Sequence, residues 1–221
     1  MVTHSANAPW VNRANVTFNP GLVRYVTKAD PPTVRRKAAE DTLAQLPPAS
    51  VHVYTGGSVA DPKHSRKGGG GYVVWDANGE CKEGVCAAGE KCSSFLAEAA
   101  ALRHALRALL EGQSIHVPAQ ATVLVCTDSQ SLITALSKGP AQQRCVVTNE
   151  IWTLFHAISV RHSRNFIVQF LPGHVGLPRQ ESADDVAGQA SDTCDQTPTA
   201  VELGVAKAVL HTQGISLVQS I

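Results

Sequence analysis

Val53-Tyr54-Thr55-Gly56-Gly57-Ser58 carries an aromatic and β-branched run straight into two adjacent glycines and a serine. From Val51 to Val59 the residues alternate as a strand does. Glycine in the interior of a buried strand weakens it, and Gly56 falls there. Three acids lie downstream in different surroundings. Glu98 falls in a helical run, Asp128 at the end of the apolar run Ala121-Thr122-Val123-Leu124-Val125-Cys126-Thr127, and Asp184 shortly after Pro172-Gly173-His174-Val175-Gly176.

The elements between these segments follow from pattern. The run Gly68-Gly69-Gly70-Gly71 opens a strand, Tyr72-Val73-Val74-Trp75. It lacks the Lys-Ser/Thr ending of a phosphate-binding loop and does not open a helix, so it is not read as one. Asp76-Ala77-Asn78-Gly79 is a turn signal that predicts a third strand near 82–89. Ser94 to Leu110 is the clearest helix, with Leu102, Leu106, Leu109 and Leu110 on one stripe. The apolar run 121–127 predicts a buried central strand. Helices are expected over 129–136 and 149–160, a fifth strand over 166–171, and a helix over 180–190. Pro31-Pro32 before Thr33–Leu46 and Pro47-Pro48 after it delimit a short helix. The pattern is α/β, a mixed five-stranded sheet with helices packed on it. It divides into an irregular extension over 1–49 with a helix near 33–46, a domain over 50–190, and a tail over 191–221 with a weak helix over 198–212.

With 221 residues, 43% hydrophobic and 17% charged, the chain is globular in composition. It has no apolar run near the ~20 residues of a membrane helix, so no membrane role is expected. A net charge of +1 excludes gripping nucleic acid by bulk electrostatics, and any such binding must come from a local surface. Residues 1–29 carry Arg13, Arg24 and Lys28 and no acid, but Pro9, Asn12, Asn15, Asn19 and Pro20 spoil an amphipathic transit helix. An intracellular protein, nuclear or cytoplasmic rather than organellar, is the expectation. Cys81, Cys86 and Cys92 lack the paired spacing of zinc knuckles, and Cys126 sits in an apolar strand. Reduced thiols are the expected state.

Four segments in order give a more specific signal. Val53-Tyr54-Thr55-x-Gly57-Ser58, Ser93-Ser94-Phe95-Leu96-Ala97-Glu98, Cys126-Thr127-Asp128-Ser129-Gln130-Ser131 and Pro172-Gly173-His174-Val175-Gly176-Leu177-Pro178-x-x-Glu181-Ser182-Ala183-Asp184 resemble the type 1 ribonuclease H domain of non-LTR retrotransposons across 51–190. The segment before residue 50 resembles the connector behind reverse transcriptase in such elements. The resemblance implies hydrolysis of the RNA strand of an RNA–DNA hybrid by two Mg²⁺ ions ~4 Å apart, with Mn²⁺ a less demanding substitute. It places Glu98, Asp128 and Asp184 as catalytic metal ligands and His174 as the loop histidine that assists proton transfer or product release.

The first acid of that set, however, falls on Gly56. Asp61, five strand residues further, would lie ~16 Å away and cannot replace it. The resemblance also carries Ser58, Gln130 and Asn149 over as contacts to a hybrid's minor groove and 2′-hydroxyls. Arg179-Gln180 departs from the family's usual Gly-Asn, and Phe170-Leu171 from a frequent Trp. The implied protein binds hybrid or RNA with weakly held metal and impaired hydrolysis. An active ribonuclease using three acids, a non-catalytic scaffold in a ribonucleoprotein, and a decaying element fragment are the alternatives. Taken singly, Glu98 reads as a solvated helix residue, Asp128 as a helix cap, Asp184 beside Asp185 as an exposed face and His174 as a plain loop residue. Arg161, His162 and Arg164 read as a solvated basic loop rather than a phosphate contact.

Overall fold

The computed structural model of the chain describes residues 16–60, 67–112, 115–162 and 164–194, with the side chains of 161, 162 and 193 set aside. Asp61 and the expected helix over 198–212 lie outside the described residues. The elements run β1 (Val16–Asn19), α1 (Pro32–Gln45), β2 (Val51–Ala60), β3 (Lys67–Trp75), β4 (Cys81–Gly89), α2 (Ser94–Glu111), β5 (Thr122–Thr127), α3 (Gln130–Ser137), α4 (Val146–His162), β6 (Asn165–Phe170) and α5 (Pro178–Thr193). Each strand and helix expected over 33–190 is present, and α5 runs past 190. No helix among the described residues is long and apolar enough to cross a membrane.

The fold is a mixed α/β sheet, but it has six strands rather than five, in the order β1-β6-β5-β2-β3-β4. The sixth comes from the supposedly irregular extension. β1 pairs in parallel with β6, Val16 opposite Phe166 and Phe18 opposite Val168. Four residues rich in Asn and Thr, whose partner lies about 150 positions away, leave no local pattern to read. What holds them is tertiary. The Phe18 ring stands 5.6 Å from Trp152 and 6.2 Å from Phe155. Gln169 Nε2 donates to Gly21 O at 2.9 Å, and Val23 N donates to Thr42 Oγ1 on α1 at 3.1 Å.

Alternation along the strands builds two cores. Val51, Val53, Val74, Val123, Val125 and Val168 face α2, α3 and α4. Tyr54, Val73, Leu124 and Ile167 face the other way, where Ala39 of α1 and Ala183 and Val186 of α5 cover them. The glycine run takes its place in this sandwich through contact. A Cβ on Gly71 would stand 2.8 Å from Val186 C and 2.9 Å from Ala187 Cα, and one on Gly70 would stand 2.8 Å from Ala101 N. Helices α5 and α2 thus lie directly on the backbone of β3 from opposite faces, a spacing any larger residue would prop open.

Gly71→Ala is therefore expected to destabilise the protein by roughly 1–3 kcal/mol through overpacking. Gly188, in α5 with nothing within 4 Å of an added Cβ, supplies the control. There Gly→Ala is expected to stabilise by about 0.5–1 kcal/mol, the ordinary gain in a helix interior. Urea denaturation midpoints check both signs.

Candidate functional site

The parallel pairing of β2, β5 and β6 stops at one level, since Thr55 pairs with Thr127 and Thr127 with Phe170, while β2 runs on to Ala60 against β3 alone. The carboxyl side of that pairing forms the crevice where open α/β sheets place ligands. Gly56 follows Thr55 on β2, Asp128 follows β5, and Pro172-Gly173-His174 follows β6. Leu171 N donates to Thr127 O at 2.9 Å and holds this last loop against β5. Gly173 is pressed on the Asp128 carboxylate so closely that an added Cβ would collide with Oδ2. His174 and Gly176 turn the chain through left-handed backbone, φ 54° and 82°. Gly176 N then donates to Glu181 Oε1 at 2.7 Å, which seats the start of α5.

Two helices complete the site from opposite faces. Ser93 caps α2 by accepting from Leu96 N at 3.1 Å, and Glu98 lies on the buried stripe that continues through Leu102, Ala105 and Leu109. Glu98 is only 6% exposed. Its Oε1 accepts from Gly57 N at 2.6 Å and its Oε2 from Thr127 Oγ1 at 3.3 Å. On the other face, α5 sets Asp184 over Gly56, where a Cβ would stand 2.6 Å from Asp184 Oδ1 and 3.0 Å from Ala183 O. His174 Nδ1 lies 3.8 Å from Asp184 Oδ2, with its ring largely in solvent.

The three acids feel one another. Burial, then the Asp128 charge, hold the Glu98 carboxyl well above the usual range, with Asp184 adding to the rise and the Gly57 N–H opposing it. Burial and Asp128 likewise push Asp184 up to about 6, against donation from Gln180 and the nearby His174. Asp184 Oδ2 is buried with no hydrogen-bond partner.

The structure therefore brings Glu98, Asp128, Asp184, His174 and Gly56 to one crevice. Ser129, rather than Asp128, caps α3, accepting from Leu132 N at 3.4 Å. Ser58 lies two residues beyond Gly56 on the same strand. Gln130 is engaged elsewhere: its Nε2 donates to Pro20 O at 2.7 Å, a bond to the extension. Asn149 is exposed on α4, where its backbone carbonyl accepts from Thr153 Oγ1 at 3.0 Å. Arg164 is not the solvated residue its sequence neighbours suggest; it is 5% exposed and donates through Nη2 to Val117 O at 2.7 Å.

Sequence reasoning missed Gln180 as a site residue. Its Nε2 donates to Thr55 O at 2.9 Å and to Asp184 Oδ1 at 3.3 Å. Its place four residues before Asp184 on one helix, the spacing that puts both on one face, was a signal in the sequence. Arg179 beside it lays its guanidinium 4.8 Å over the Trp75 ring, tying α5 to β3.

A carboxylate-only donor set has the chemistry Mg²⁺ prefers. Among the described residues, however, no group of three His, Cys, Asp or Glu stands in metal-holding geometry. The space between Glu98 and Asp184 at position 56 carries no side chain. The arrangement does not fit a two-cation clamp.

A family model described as RNase H matches residues 48–192. Among solved structures, LC11-RNase H1, isolated from compost by a metagenomic approach, is 24% identical over 64% of this chain and 95% of its own, with a TM-score of 0.47. The same enzyme in complex with an RNA/DNA hybrid matches at 22% identity over 64% and 96%, TM-score 0.47. RNase H1 from the halophilic archaeon Halobacterium salinarum NRC-1 is 20% identical over 64% and 97%, TM-score 0.45. No curated protein matches the chain.

The raised Asp184 gives a pH test. An aspartate's ordinary value is 3.8, so between that pH and about 6 the folded chain binds the extra proton. Stability is then present below about 4 and lost as pH rises through about 6. Asp184→Asn removes the buried ionised group and is expected to raise stability at pH 7 by about 1 kcal/mol, partial exposure screening the rest. At pH 4 the variant and the parent should match, as thermal unfolding at the two pH values can check.

Proposed function

The chain belongs to the RNase H family, and from that premise we propose that it is a retroelement-derived protein that binds RNA–DNA hybrid or RNA while hydrolysing the RNA strand poorly. The observation that carries this reading is Gly56. It stands midway along β2, just past the point where the parallel pairing with β5 ends, beside Glu98, Asp128 and Asp184 and with no carboxylate of its own. Family members use divalent metal, and in-line displacement at a phosphodiester needs cations held between several acids. Three carboxylates that repel one another, with the fourth position empty of side chain, give weak binding of a single cation at best.

Binding does not need that chemistry. One helical turn before Glu98, Phe95 borders a depression of about 440 Å³ together with Lys138, Gln142, Arg144 and Thr148. Two cations, amide and hydroxyl groups and an aromatic face suit a nucleic-acid strand, whose phosphates need cations and whose bases stack. This local surface answers the problem posed by a net charge of only +1. The acids, of which Glu98 is one helical turn from Phe95, would repel the same strand, which favours a hybrid or RNA held along the rim of the crevice.

Fluorescence anisotropy and a cleavage assay on a labelled RNA–DNA hybrid test the proposal together. Binding is expected, and Arg144→Ala should lower the slope of log affinity against log salt by about 1. Cleavage in Mg²⁺ or Mn²⁺ should fall roughly 10²–10⁴-fold below that of an RNase H with its full acid set. Efficient cutting by the unmodified chain would favour the three-acid enzyme, and loss of both binding and cutting would remove nucleic acid from the reading.

A further inference from the structure

We propose that Gln180 is a positioning residue that turns the Asp184 carboxylate over Gly56, so that residues 56, 180 and 184 form one interlocked unit. The functional weight of the unit rests on the reading above. Gln180 is 1% exposed, and its amide bridges two elements: β2 through Thr55 O at 2.9 Å and Asp184 through Oδ1 at 3.3 Å. Asp184 Oδ1, the atom so held, lies 2.6 Å from the point a Cβ at position 56 would occupy. The other oxygens of the pair, Asp184 Oδ2 and Gln180 Oε1, are buried without hydrogen-bond partners. Leaving buried acceptors unpaired is unfavourable. The pose persists because the Nε2 end is anchored to the strand, and that anchor fixes the rotation of the carboxylate.

A side chain at position 56 and the present pose of Asp184 therefore exclude each other. An added Cβ meets Oδ1, a side-chain tip that can swing away, and Ala183 O and Asp184 Cα, each 3.0 Å off, that must give a few tenths of an ångström. The swing requires Gln180 to release Oδ1. An amide one methylene shorter cannot span from α5 to both Thr55 O and Asp184, so it leaves the carboxylate able to turn toward Asp128. An acid restored at position 56 alone thus meets a site closed against it. Restored together with a shorter residue 180, it meets one able to open.

The test is a double-mutant cycle on the full chain with Gly56→Asp and Gln180→Asn. Gly56→Asp alone is expected to lower Tm by about 5 °C, and the double variant by no more than that, a non-additivity that marks direct coupling. Mg²⁺ affinity by calorimetry and hybrid cleavage should each rise roughly tenfold or more from Gly56→Asp to the double variant, the change expected when a blocked ligand is released. Nuclear magnetic resonance adds a signature a purely structural glutamine would lack. The Gln180 side-chain amide protons should exchange slowly in the parent and shift on Asp184→Asn, and this alone decides if Gly56→Asp does not fold. Additive Tm changes with a fast-exchanging Gln180 amide would overturn the proposal. Coupled Tm changes with no Mg²⁺-dependent cutting in any variant would support the steering and defeat the reading that Gly56 is what impairs hydrolysis.

Discussion

At Gly56 and Gly57 two helices touch one strand from opposite faces, and the crevice depends on that double contact. Glu98 of α2 reaches the Gly57 amide on one side, and α5 lays Asp184 on Gly56 from the other. Because successive strand residues point to opposite faces, two adjacent glycines are what allow both approaches at one level of the sheet. The same device is repeated on β3, where Gly70 admits α2 and Gly71 admits α5. The glycines are thus a packing requirement first. With no side chain at position 56, the backbone of β2 is in direct contact with α5.

The amino-terminal extension is part of the same sheet. Its strand covers the outer edge of β6, which would otherwise present unpaired backbone groups. Its aromatic anchor, Phe18, packs on α4, and its turn accepts a hydrogen bond from Gln130, two residues beyond Asp128. The extension therefore runs to the rim of the crevice and engages the Gln130 side chain there. This contact links an apparently accessory segment to the geometry of the site.

Electrostatics divide the molecule's work. The crevice gathers three mutually repelling acids in partly buried surroundings. Lys138 and Arg144 lie across a depression beside Phe95 on the α2–α4 side. Burial and the Asp128 charge raise Glu98 and Asp184 together. Residues 179 and 180 both fasten α5 to the sheet, as a cation stacked on Trp75 and an amide bridging β2 to Asp184.

The α/β class, the strands and helices over 33–190, and the gathering of Glu98, Asp128, Asp184 and His174 near Gly56 were legible in the sequence. They rest on local periodicity and on motifs whose order mirrors their elements. The sixth strand was not legible, because a four-residue parallel pairing across about 150 positions has no local signature and is held by aromatic packing and glutamine amides. Nor was the commitment of Gln130 to Pro20, the burial of Arg164, or the cap role of Ser129 in place of Asp128. Residue types and spacing name which groups can meet. Which oxygen each donor takes, and therefore where the Asp184 carboxylate points, was decided only when α5 settled on the bare backbone of Gly56.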